Sequence, residues 1–117
     1  MGTDFATRVI SDKHEKSVCK ALNGRQTPNS GAGKFEKSDV VVENASLLVE
    51  CKCSIKQKYS FGIKEEWIKK VSEEAFRNRL NHVAICFNYE PNGNNYYVIT
   101  ESLMKYLVSK LSEEEES

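Results

Sequence analysis

No stretch of this 117-residue chain holds the roughly 20 consecutive apolar residues that a bilayer-spanning helix needs. It also has no charge excess: 17 Lys and Arg balance 17 Asp and Glu, and only two histidines accompany them. A strongly basic nucleic-acid-binding surface is therefore not visible in the overall balance. With two prolines and six glycines, the chain is not a low-complexity or collagen-like polymer. The segment Met1-Gly2-Thr3-Asp4-Phe5-Ala6 lacks a basic patch followed by an apolar run, so no secretory leader is expected. It also fails the myristoylation pattern, which requires Ser or Thr where Ala6 stands. Without a leader, the cysteines at 19, 51, 53 and 86 are expected as reduced thiols in a cytoplasmic, intracellular protein with no membrane partner. Cys51-x-Cys53 lacks the second C-x-x-C or H-x-x-x-H that a zinc site requires. His14 and His82 have no Ser or Cys partner at a catalytic spacing and are expected to pack or face solvent. Gly33-Lys34 fails as a phosphate-binding loop, because Pro28 and Phe35 replace the required Gly and Ser/Thr.

What is present is a well-proportioned single domain, 39% hydrophobic and 29% charged. The expected boundaries are 1–112 for the domain and 113–117 for an acidic, solvated tail. The zero net charge hides an asymmetry. Residues 1–70 hold 13 Lys and Arg against 9 Asp and Glu, whereas 71–117 hold 4 against 8.

Helix signals begin at Ser11 or Asp12, good N-caps, and stop at Asn23-Gly24, with Val18, Cys19 and Leu22 as one apolar stripe. Residues 24–38 read as a long loop. Val40–Val42 and Leu47–Cys53 form a predicted hairpin, followed by a polar, basic segment over 54–62. A helix is expected from about Ile63 to Arg79, with Ile63, Trp67, Val71 and Ala75 inward and Ile68 and Phe76 widening that face. On the same helix, Lys69-Lys70 and Glu73-Glu74 suit solvent. Strands at 83–87 and 96–100, separated by the Pro91–Asn94 turn, lead to a last helix over 101–111. There Leu103, Tyr106, Leu107 and Leu111 should face inward. The order α-β-β-α-β-β-α predicts an α/β fold with a mixed central sheet flanked by helices.

The chemistry concentrates in the hairpin. A turn centred on Asn44-Ala45 pairs Asp39 with Glu50, whose Cβ atoms would then lie roughly 4.5–5.5 Å apart on one face. Two carboxylates so close repel unless a cation sits between them, and a hard divalent ion suits oxygen donors. Strand alternation puts Lys52 on the same face as Glu50, while Val49, Cys51 and Cys53 turn to the core. The plain alternative is that Glu50 and Lys52 are ordinary charges on a half-solvated strand. Glu15 falls on the inward stripe of the first helix and would need a partner there. Asp12-x-x-Glu15 equally fits a capping box. Tyr59 and Phe61, interleaved with Lys56, Lys58 and Lys64, suit either a nucleic acid or a sheet edge.

The series Glu15, a Gly-rich loop, Ser38-Asp39-Val40-Val41, then Glu50-Cys51-Lys52 resembles the PD-(D/E)xK nucleases. Within that superfamily it is most similar to the small Holliday-junction resolvases of the archaeal and phage type. The likeness spans roughly residues 11–75, with Ser38 in place of the eponymous proline. It implies a restriction-endonuclease-like core, and Mg²⁺ or Mn²⁺ held by Asp39, Glu50 and the Cys51 carbonyl. It also implies Lys52 beside the attacking water and Glu15 at a second metal or a bound water. Arg25, Ser30, Lys34, Lys37, Lys56 and Lys58 become candidate DNA contacts. The implied partner is branched DNA, most simply a four-way junction, cut by a homodimer during recombination or repair. Other DNA substrates (nicked, mismatched or plain duplex) and a non-catalytic DNA-binding or assembly module are the alternatives.

Overall fold

The computed structural model describes residues 2–27 and 39–116. Among these residues five strands form one mixed sheet in the order β1-β2-β3-β4-β5, with three α-helices. In chain order these are α1 (Gly2–Leu22), β1 (Arg25–Gln26), β2 (Asp39–Val42), β3 (Leu47–Lys52), α2 (Glu65–Arg77), β4 (His82–Phe87), β5 (Tyr96–Ile99) and α3 (Glu101–Glu116). The β3–β4 pair is parallel, with α2 as its crossover, and the other three pairs are antiparallel. The mixed α/β architecture is the one expected from the sequence. None of the helices of the described residues is long and apolar enough to cross a membrane.

Alternation along β3 divides the core in two. Val40, Val42, Val49, Cys51, Ala84 and Cys86 pack with Val18 of α1 on one face. On the other face Val41 and Leu48 pack with Val71 and Ala75 of α2. Strand β3 is thus central and covered on both sides, so its whole length is apolar except at Glu50 and Lys52. All four cysteines are unbridged, and Cys51 and Cys86 lie side by side on paired strands. His14 is buried on the same side, with Nε2 3.0 Å from Asn95 Oδ1, so it is a packing residue.

Several elements depart from the sequence expectation. Helix α1 begins nine residues before Ser11, and Asp12 sits within it, joined to Lys16 at 2.9 Å and to Gln26. Asp12 therefore caps nothing, and the capping-box alternative for Glu15 is removed. Strand β1, inside the expected loop, is two residues long and carries no periodicity of its own; pairing with β2 creates it. Helix α2 is turned relative to its expected phase. Val71 and Ala75 are buried as expected, but so is Glu74 at 1% exposure, while Phe76 is 85% exposed. Among the described side chains of α3 only Leu103 is buried; Tyr106, Leu107 and Leu111 are exposed, and the helix continues through the glutamates expected as a tail.

Helix α1 ends where Asn23 adopts a left-handed φ of 56°, and Gly24 N donates to Cys19 O at 2.9 Å. At Gly24 the chain passes so close to β2 that a Cβ would sit 2.8 Å from the Val41 carbonyl oxygen and 2.9 Å from a Val40 methyl. Gly24→Ala should therefore cost about 1–3 kcal/mol by overpacking. A urea midpoint unchanged from wild type would refute that close approach.

Candidate active site

The hairpin register puts Asp39 directly opposite Glu50, Val40 opposite Val49, Val41 opposite Leu48 and Val42 opposite Leu47. This is the pairing read from the sequence, achieved through a short 3-10 turn at Glu43–Ala45 and a left-handed Ser46. Directly opposed residues share a face, so Asp39 and Glu50 both project on the α2 side with Val41 and Leu48. Both are buried, at 0% and 5% exposure, which excludes an ordinary half-solvated strand position for Glu50. Lys52, two residues on, brings Nζ within 3.6 Å of Glu50 Oε1. The same ammonium lies 4.5 Å from the Trp67 ring centroid, held between a carboxylate and an indole face. Trp67 is half-buried, so it serves the core and this cation together.

Burial pushes the Glu50 carboxyl above its ordinary value, and the Glu74 charge adds to that; Lys52 and Lys70 pull the other way. Glu74, at 1% exposure on α2, is the residue that sequence reasoning put in solvent. Its neighbour Val71 sits one helical turn earlier on the buried face, and an i, i+3 spacing from an apolar core residue was the signal available. Glu50 Oε2 is buried with no hydrogen-bond partner among the described residues. A buried carboxylate oxygen with an open coordination position, facing a second carboxylate, suits a hard cation.

Among the described residues, no group of three or more His, Cys, Asp or Glu side chains is placed to hold a metal ion. A two-carboxylate set is nonetheless the usual protein share for Mg²⁺, which keeps waters and takes substrate phosphate oxygens as its remaining ligands. The Asp39–Glu50 pair fits that donor set. The described ladder with β2 stops at this pair, so the Cys51 main chain is the next along β3. Its thiol turns to the α1 side, where burial raises it far above a thiol's ordinary value.

The remaining candidates are dispersed. Glu15 lies on α1, which packs against the opposite face, and its Oε1 accepts a hydrogen bond from Gln26 Nε2 at 3.1 Å. Gln26 pairs with Val40, which belongs to that same face. The Arg25 guanidinium is engaged by Glu43 at the hairpin turn. Lys56 and Lys58 are exposed between β3 and α2. Ser30, Lys34 and Lys37 lie outside the described residues.

Compared with known proteins, the chain matches no family model, no curated protein and no solved structure.

A carboxyl whose folded pKa is raised favours the folded state while protonated. It loses that contribution as pH rises from the unfolded value, 4.5, through the folded one. Without a divalent ion, Glu50→Gln should therefore melt a few degrees above wild type at pH 7, the gain vanishing by about pH 4. Added Mg²⁺ or Mn²⁺ should raise the wild-type melting temperature and leave Glu50→Gln unmoved. Equal metal responses in the two proteins would exclude Glu50 as a ligand.

Proposed function

We propose that the protein is a metal-dependent endodeoxyribonuclease of the PD-(D/E)xK kind, with a restriction-endonuclease-like core. The observation that carries this reading is the buried, directly opposed Asp39–Glu50 pair with Lys52 3.6 Å from Glu50. The mixed sheet, with a hairpin followed by a crossover helix and two further strands, supports this reading.

In this reading Asp39 and Glu50 hold one Mg²⁺ or Mn²⁺, with the Cys51 carbonyl beside them. The ion, when bound, supplies Lewis-acid stabilisation of phosphate charge and a more acidic water. Lys52 does the rest of the local work. Its ammonium is tethered by Glu50 and Trp67, so it presents a fixed positive charge where charge builds on the phosphate oxygens. Burial keeps bulk water from competing for the two carboxylates. Glu15 holds the Gln26 amide, and Gln26 pairs with the β2 strand that begins at Asp39.

The resemblance favours four-way junctions cut in two symmetric places, and hence a homodimer. The exposed apolar side of α3, with Met104, Val108 and Leu111, is the surface offered for self-association. Nicked, mismatched and plain duplex DNA are the alternative substrates. A non-catalytic DNA-binding module would have no use for a buried carboxylate pair, whose repulsion it would carry without return.

The test is cleavage of labelled four-way junction, linear duplex and single strand in Mg²⁺. Paired nicks near the junction centre support resolution, and cutting of all forms supports a general nuclease. Glu50→Gln and Lys52→Ala should each lower the rate by at least about 100-fold, as loss of a charge-stabilising group does. Glu15→Gln should lower it less than either. Wild-type protein that binds junctions and cuts nothing, or a Lys52→Ala variant cutting at the wild-type rate, would sink the assignment.

A further inference from the structure

The segment 53–64, between β3 and α2, contains no helix or strand, yet its backbone is firmly held. Ser54 is fully buried: its N donates to Asn88 Oδ1 and its Oγ to Asn88 O, both at 2.7 Å. Lys58 N donates to Tyr89 O at 2.7 Å. Further on, Phe61 stacks on Phe87 at 4.9 Å and meets Trp67 at 6.3 Å. Buried polar groups and an aromatic cluster thus fix both ends of a short tip. At that tip Tyr59 is 94% exposed, with Lys56, Lys58 and Ile55 exposed beside it.

The cations follow a path of consecutive contacts back to the carboxylates. Lys58 lies 5.2 Å from the Phe61 ring, Phe61 meets Trp67, and Trp67 carries both Lys64 at 5.8 Å and Lys52 at 4.5 Å. Lys52 then reaches Glu50. A row of ammonium groups at intervals suits a phosphate backbone. A phenol ring standing in water at the end of that row suits the face of a nucleobase, because every base has one. In continuous duplex those faces are already stacked on their neighbours. Only an unpaired or splayed base can offer one to Tyr59.

From this we infer that the 55–60 tip is a docking place for unpaired bases, with Tyr59 as the stacking platform and Lys56, Lys58 and Lys64 on the flanking phosphates. The substrate class is then DNA with unstacked nucleotides a short distance from the cut, at a branch point or in a single strand, in preference to continuous duplex. This rests on the nuclease reading and names the substrate of that same site.

The experiment uses the full chain without divalent metal, so that binding is read apart from cleavage. Its probes are a 2-aminopurine-labelled single strand, a four-way junction with the label at the crossover, and a continuous duplex. Wild type should quench or shift the label in the first two. Tyr59→Ala should weaken binding of those two by about 5- to 100-fold and of the duplex by less than about 2-fold. Tyr59→Trp, which keeps a ring, should bind near wild type. Lys58→Ala should weaken all three alike and flatten the salt dependence. Tyr59→Ala binding all three like wild type, weakening the duplex equally, or wild type binding none of them would each overturn the inference. The nuclease reading is judged separately, by wild-type cleavage in Mg²⁺ and its loss in Glu50→Gln.

Discussion

Two carboxylates set opposite each other on a buried hairpin constrain everything around them. Asp39 and Glu50 project from neighbouring strands toward α2, with Glu74 adding a third negative charge on that side. Burial and like charge both disfavour ionised Glu50, so the fold must supply compensation. Lys52 and Lys70 supply part of it. The central position of β3 supplies the rigidity, since pairing on both edges leaves the carboxylate backbone nowhere to retreat. A sequence selected only for stability would place apolar residues here. Strained electrostatics retained at the heart of a sheet point to a site whose occupant relieves them.

The same constraint explains which parts of the fold were legible in advance. Hairpin register follows from a short turn flanked by β-branched strands, and local chemistry decides it; the Asp39–Glu50 pairing was therefore readable from residues 39–52 alone. The phase of α2 was not. Ile63, Trp67, Val71 and Ala75 mark a face, but Phe76 and Glu74 lie on its two edges, and hydrophobicity favours Phe76. The structure buries Glu74, on the edge of the helix that overlooks the carboxylate side of the sheet. The apolar pattern alone does not report that edge, since burying Glu74 there costs repulsion against Glu50. The start of α1 failed for a different reason. Ser11 and Asp12 have the chemistry of caps, yet Asp12 satisfies its carboxylate through Lys16 and Gln26 within a longer helix. Strand β1 is visible only through its partner.

Helix α3 shows the converse. Its Leu103, Tyr106, Leu107 and Leu111 have the spacing of a core-facing stripe, and the chain buries only the first. A groove of about 600 Å³, floored by Leu47, Ala84, Tyr97 and Ile99, separates the helix from the sheet. Periodicity reports that a face is meant to be covered. It does not report by what, so intramolecular packing was the wrong inference from a correct pattern.

Lys52 ties the chemistry to the outer surface. A lysine with four flexible methylenes is a poor choice for a fixed charge unless other groups restrain it. Here Glu50 holds the ammonium from one side and Trp67 from another, and Trp67 also meets Phe61 and Lys64. The position of the site's cation is thereby coupled to the aromatic cluster that supports the 55–60 tip. A substrate pressing on Phe61 or Trp67 would change how firmly Lys52 is held, with no movement of the sheet. The carboxylates are held by the paired backbone of β2 and β3, whereas the lysine is held by side chains that reach the surface.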